Sequence, residues 1–172
     1  MAKFDVKVIG QCMRQPFRVA ASAVRGYCGE PMIVAPTFTS GVSDVNTIVV
    51  LSDDLPVIGT DEFVGILAKD MEVSGVTPTA QRVVVDVPFP MITRMEAQVT
   101  TVATADTESE AIGLLFDIYV FDRIADATGG TYTWKPAAAD TGGFQARWYN
   151  TANSKLQCVA DPRAITRVDI SN

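Results

Sequence analysis

Apolar side chains recur at every second position through most of this chain, and a period of two is what a strand with one buried face requires. In Arg82-Val83-Val84-Val85-Asp86-Val87-Pro88-Phe89, residues Val83, Val85, Val87 and Phe89 fall on one face and Asp86 on the other. Met91 to Val99 repeats the pattern, setting Met91, Thr93, Met95, Ala97 and Val99 against Arg94, Glu96 and Gln98. Pro88 and Pro90 have no N–H to give a ladder, which puts the chain between the two runs at a strand end, an edge or a bend between sheets.

The alternation returns near the C-terminus. Phe144, Ala146 and Trp148 alternate with Gln145, Arg147 and Tyr149; Asn150 to Ser154 supplies turn residues; then Leu156, Cys158 and Ala160 alternate again. This is a hairpin signature. After Asp161-Pro162, residues Ala164, Thr166, Val168 and Ile170 continue on one face, and Pro31 to Phe38, Thr47 to Leu51 and Phe63 to Ala68 are earlier candidates bounded by turn residues. About eight to ten short strands predict a mostly β fold, a single-domain β-barrel or sandwich with one or two short helices.

Two segments are the helix candidates. Thr107-Glu108-Ser109-Glu110 has capping-box spacing, and Ala111, Leu114, Leu115 and Ile118 follow it at helical intervals. Phe116, Ile118 and Val120 also alternate as a strand would, so the expectation is one or two helical turns that yield to a strand near Leu115. Phe17 to Arg25, ended by Gly26, is the second and weaker candidate.

With 172 residues, 48% of them hydrophobic, the chain can build a core without a staple, since a domain of this size buries about 70% of its unfolded surface. Cys12, Cys28 and Cys158 are odd in number and lack CxxC spacing, which predicts buried, reduced thiols and neither a disulfide framework nor a zinc site. No repeat or linker divides the sequence: one β-rich domain is expected at residues 16–172, behind an N-terminal arm at residues 1–15.

Fourteen basic against twenty acidic residues give a net charge of -6, which repels a phosphate backbone and predicts no nucleic-acid partner. The charged N-terminus does not read as a signal peptide and no later run reads as a membrane span, so a soluble, reducing compartment and no membrane partner are expected. Histidine is absent. The usual general base, the commonest metal ligand and the Ser-His and Cys-His nucleophile pairs are missing with it. No phosphate-cradling GxxxxGK[ST] or GxGxxG motif is present. Asp53-Asp54, Asp61-Glu62 and Asp106 to Glu110 lack EF-hand spacing and read as turn residues and a helix start. The expectation is therefore a protein that is not an enzyme, with no catalytic residue, cofactor or metal.

Tyr132, Trp134, Trp148 and Tyr149 lie close in sequence. Core packing suits most of them, but Tyr149 shares its strand face with Gln145 and Arg147, which makes it a candidate interface residue.

Cys28-Gly29-Glu30-Pro31-Met32, then Asp54-Leu55-Pro56-Val57-Ile58-Gly59 leading into Phe63-Val64-Gly65-Ile66-Leu67-Ala68, the segment Phe116 to Asp122, and Gly130-Thr131-Tyr132-Thr133 form an arrangement that resembles the capsid decoration proteins of tailed bacteriophages. The resemblance covers residues 28 to 170 and its motifs are loose. It implies a β-tulip-like barrel and a cement role on the outer surface of an icosahedral capsid. The protein would be made in the host cytoplasm, bind the major capsid protein as a homo-oligomer, dimer or trimer, and stabilise the mature DNA-filled shell. The alternative is another β-rich virion or surface-binding module: a tail, fibre or glycan-binding domain.

In the arm, Phe4, Val6 and Val8 can face one way while Lys3, Asp5 and Lys7 face the other. Two readings follow. Such a strand can add to a free sheet edge on a capsid subunit by β-augmentation, making Phe4, Val6 and Val8 interface residues, or it can close this protein's own sheet.

Overall fold

The computed structural model describes residues 6–19, 25–34, 47–50, 63–72, 82–99, 107–121, 131–137 and 142–162. Within them the chain is mostly β, with thirteen strands and one helical turn. Strands β2 (Cys12–Val19), β4 (Pro31–Val34), β5 (Thr47–Val50), β6 (Phe63–Leu67) and β8 (Arg82–Pro88) form a closed barrel in the order β2-β5-β4-β6-β8. A second sheet holds β1 (Lys7–Ile9), β9 (Arg94–Val99), β10 (Leu115–Phe121), β11 (Thr131–Pro136), β12 (Phe144–Asn150) and β13 (Lys155–Ala160) in the order β1-β9-β11-β10-β12-β13. Because β13 also pairs with β9, this second sheet closes on itself as well. Two-residue strands β3 (Arg25–Gly26) and β7 (Met71–Glu72) pair separately.

One core serves both sheets. Phe63 and Leu67 from the barrel, and Trp134, Phe144 and Leu156 from the second sheet, belong to a single buried cluster. The Phe63 ring meets Phe144 edge-on at 5.1 Å, and Phe144 in turn meets Trp134 at 5.1 Å. All five residues of β6 are buried, so the run Phe63-Val64-Gly65-Ile66-Leu67 reads as continuously apolar because both of its faces are covered.

Several expectations hold in detail. Phe144–Asn150 and Lys155–Ala160 form the hairpin. Pro88 ends a barrel strand and Arg94 begins one of the second sheet, so the proline region is a bend between sheets. Helix α1 (Glu108–Ala111) is a single turn that yields to β10 at Leu115, and the Thr107 N–H donates to Glu110 Oε2 at 3.2 Å, as a capping box requires.

Others are corrected. Of the helix candidate Phe17 to Arg25, Phe17 to Val19 is strand, because Phe17 and Val19 alternate as buried residues about the half-buried Arg18 where β2 pairs with β8 and β5, and residues 20–24 lie outside the described residues. Residues 6–15 are not a separate arm. β1 pairs with β9 through Lys7↔Glu96, Val8↔Met95 and Ile9↔Arg94, and Cys12 to Gln15 lie in the barrel. The Val6 N–H donates to Gly29 O at 2.9 Å, and its side chain is buried. The strand therefore completes this protein's own sheet. Residues 163–172, with their alternating Ala164 to Ile170, lie outside the described residues.

Candidate functional site

The chain passes between its two sheets at Gly10-Gln11 and again at Phe89–Thr93, and the two crossings are tied together. Cys12 pairs with Pro88 in the barrel ladder, and the Thr93 hydroxyl donates to Gln11 O. Within the second crossing, the Phe89 N–H donates to Thr93 Oγ1 at 2.8 Å. The Ile92 and Thr93 N–H groups donate to Phe89 O at 3.1 and 2.9 Å, and the Met91 N–H reaches Ala160 O at 3.0 Å. Pro90 has no N–H, so every amide donor of the loop is satisfied. Met91 is held at a φ of 61°, a left-handed conformation that costs an unbranched residue about 1 kcal/mol and persists only where surrounding bonds enforce it.

This rigid loop presents apolar side chains to solvent. Phe89 is 38% exposed, Met91 42% and Ile92 70%, and Met13 on neighbouring β2 is 42% exposed. At about 200 Å² per fully exposed side chain, these four expose about 400 Å² of apolar surface in all. Preorganised apolar side chains of this kind lose little entropy on docking. The sequence signal was available: Val87-Pro88-Phe89-Pro90-Met91-Ile92 is six apolar residues without a break, where strict alternation would have placed polar ones.

A second apolar surface lies at the corner between α1 and β10. Ile112 and Leu114 are 42% and 40% exposed, on either side of Gly113. Gly113 has a φ of 88°. The corner is also fixed: the Gly113 N–H donates to Ala146 O at 3.0 Å, and the Ala146 N–H returns a bond to Leu114 O at 3.0 Å.

The residues predicted to form an interface do not gather at either surface. Val6 is buried, Val8 is half-buried against the core, and Phe4 lies outside the described residues. Tyr149 is also buried, whereas Trp148 is half-buried, the reverse of the expected facing. A bulge is the cause. The register with β13 slips between Ala146↔Cys158 and Trp148↔Gln157, leaving Arg147 as the extra, exposed residue and moving every later side chain to the opposite face. Tyr132 and Trp134 are core residues, and Trp134 Nε1 donates to Leu156 O at 3.0 Å.

Several charged groups among the described residues brace the fold. Arg14 Nε meets Asp86 Oδ1 at 2.7 Å across the barrel ladder. Glu96 accepts from Gln157 at 3.0 Å and Lys155 at 3.3 Å, and these bonds, led by that from Gln157, hold its carboxyl below the usual range. Asp117 is buried and accepts the Gly143 N–H at 3.1 Å; burial raises its pKa, with that bond and Lys135 opposing. Glu108 and Glu110 are exposed at the start of α1, while Asp53, Asp54, Asp61, Glu62 and Asp106 lie outside the described residues. Among the described residues, no group of three or more Cys, Asp or Glu side chains is placed to hold a metal ion. The expectation of three buried thiols is corrected: Cys158 is buried, Cys12 half-buried and Cys28 exposed. Cys28 leaves the core because it sits on the turn at Gly29, where its N–H donates to Asp70 Oδ1 at 2.7 Å.

No family model matches the chain, and no curated protein is significantly similar to it.

Proposed function

We propose that this chain is a structural virion protein that binds the outer surface of an icosahedral phage capsid and stabilises the mature, DNA-filled shell. The observation that carries the reading is the crossing loop. The most exposed large apolar side chain among the described residues, Ile92, sits on a loop whose amide donors are all bonded, which is the anatomy of a surface that docks onto another protein. The resemblance to decoration proteins supplies the kind of partner. A net charge of -6 suits a protein that touches other proteins rather than packaged DNA. Stabilisation would follow by mass action, because a ligand of the intact shell that ignores the disrupted one favours the intact state. The glycan-binding alternative draws less support: of the four aromatics that would build a sugar platform, Tyr132, Trp134 and Tyr149 are buried and Trp148 alone is half-buried.

Electron microscopy of the particles that co-purify with the tagged, full-length protein tests the reading. The expected result is extra density in many copies on the outside of the shell. Density confined to a tail or fibre would overturn it, and so would co-purification with no particle at all.

A further inference from the structure

A buried carboxyl is wired to the crossing loop. Asp117 lies between the core residues Phe116 and Ile118, which puts it on the outer face of β10, yet it is 6% exposed. Gly142 and Gly143 lie against it. A Cβ on Gly142 would stand 2.6 Å from Leu115 Cβ and 2.7 Å from Ala137 Cβ, so only glycine lets this segment come so close to β10, and the Gly143 N–H donates to Asp117 Oδ1 at 3.1 Å. From Gly143 the bonds run on. Gly143 O accepts the Asp161 N–H at 2.9 Å, and Ala160 O accepts the Met91 N–H at 3.0 Å. The N–H of Asp161 and the C=O of Ala160 belong to one planar peptide group, which is thus bonded to Gly143 at one end and to the loop at the other. A rigid plane passes a shift at one end to the other, and bonds linked in this way polarise one another.

Few charged groups surround Asp117. Lys135, exposed, is directly opposite on β11; β12 has none from Phe144 to Ala146, and Arg147 beyond them is exposed; Asp161, just past β13, is half-buried. Asp140 lies outside the described residues. Ionising Asp117 strengthens its bond to Gly143 and its attraction to Lys135 but strips a charge of its hydration. Hydration is the larger effect, since burial raises the Asp117 pKa above the ordinary 3.8 against both of the others. The protonated carboxyl still offers an oxygen to the Gly143 N–H. The ionised one is better served by water, which reaches it when Gly142-Gly143 lifts.

We propose that Asp117 is a proton-operated latch on the crossing loop: protonated, it holds Gly142-Gly143 down and fixes Met91 through the Ala160–Asp161 peptide; ionised, it favours a state in which that segment lifts and the loop loses this anchor. Met91 is where the anchor matters most, because its positive φ persists only while neighbouring bonds enforce it. The apolar side chains of the loop are accordingly held more firmly in acid than at higher pH. The inference goes beyond the capsid reading, concerns how the loop is held whatever docks on it, and is tested with no shell present.

Amide hydrogen exchange of the full chain, resolved by nuclear magnetic resonance and corrected for the intrinsic effect of pH, is the test. Protection of the Gly143, Asp161 and Met91 N–H groups should fall together as pH rises through the titration of Asp117, which the carbon shift of its carboxyl follows, by up to about tenfold per pH unit. In Asp117→Asn, which keeps an acceptor and cannot ionise, the fall should vanish. Low urea should leave exchange of the three amides unchanged, because a local opening exposes little surface. Protection that stays flat across the titration overturns the proposal. So does a fall that survives in Asp117→Asn, which would belong to another group such as Asp161, and a fall at Gly143 and Asp161 that does not reach Met91. A urea dependence equal to that of the Ala68 N–H, bonded to Val84 O in the barrel at 2.9 Å, would mean that the whole protein unfolds, and overturns the latch as well.

Discussion

If Phe63 and Phe144 bind the barrel to the second sheet, truncating either must destabilise both. Each ring is 0% exposed, and the two meet edge-on at 5.1 Å. Phe→Ala in a core costs about 3–5 kcal/mol, and an edge-to-face pair adds about 0.5–1.5 kcal/mol that the double variant loses only once. For a domain of this length about 4 kcal/mol corresponds to a fall in Tm of roughly 8–16 °C. Tryptophan emission offers a one-sided probe, since Trp134 and Trp148 both lie in the second sheet, while far-ultraviolet circular dichroism sees the whole fold. Phe63→Ala, made in the barrel, should therefore shift the tryptophan transition as far as the dichroism transition, and the Phe63→Ala, Phe144→Ala cycle should show a coupling of about 0.5–1.5 kcal/mol. A tryptophan transition left in place while dichroism splits into two steps would refute the single core.

The other predictions concern backbone fit, titration, the first strand and the thiols. Gly65→Ala would drive a methyl into the Asp86 carbonyl oxygen and to 2.8 Å from Val85 Cγ1, so urea unfolding should show a loss of about 1–3 kcal/mol or more; a loss below about 0.5 kcal/mol would contradict the packing. Asp117 has a folded pKa raised above its ordinary 3.8, chiefly by burial. Its contribution is thus fully present below the unfolded value and lost as pH rises through the folded one. For Asp117→Asn, which keeps an acceptor for the Gly143 N–H, the stability of the variant minus that of the wild type should rise as pH rises through that range, and a difference that falls instead would reverse the assignment. Deleting residues 2–9 removes β1 and the buried Val6 and should lower Tm, whereas an unchanged Tm would show that the strand contributes nothing to the fold. A thiol reagent read by mass spectrometry should label Cys28 in the native state and Cys158 only on unfolding, because burial both shields the Cys158 thiol and raises its pKa well above the ordinary value; equal labelling rates would disprove the burial.

Local pattern decides a strand's existence and its buried face only while the register runs unbroken. Met95 and Ala97 on β9, and Leu156, Cys158 and Ala160 on β13, occupy the face that their alternation assigns. The switch from helix to strand at Leu115 was legible because a capping box and a period of two sit side by side in the sequence. Tyr149 was not legible, because one extra residue at Arg147 inverts the facing and nothing in Gln145-Ala146-Arg147-Trp148 demands a bulge there. Phe89 and Met91 misled for a related reason: alternation carried through two prolines assigns both to the core face, but the turn at Met91 breaks the period and leaves both side chains exposed. The pairing of β9 with β1, β11 and β13 was hidden altogether, since it joins segments far apart in the chain. Core residues thus announce themselves by obeying the period, whereas the crossing loop lies where an apolar run outlasts it. Such an overrun is itself a signal, and scoring it rather than smoothing through it marks Phe89 to Ile92 as a docking candidate from the residues alone.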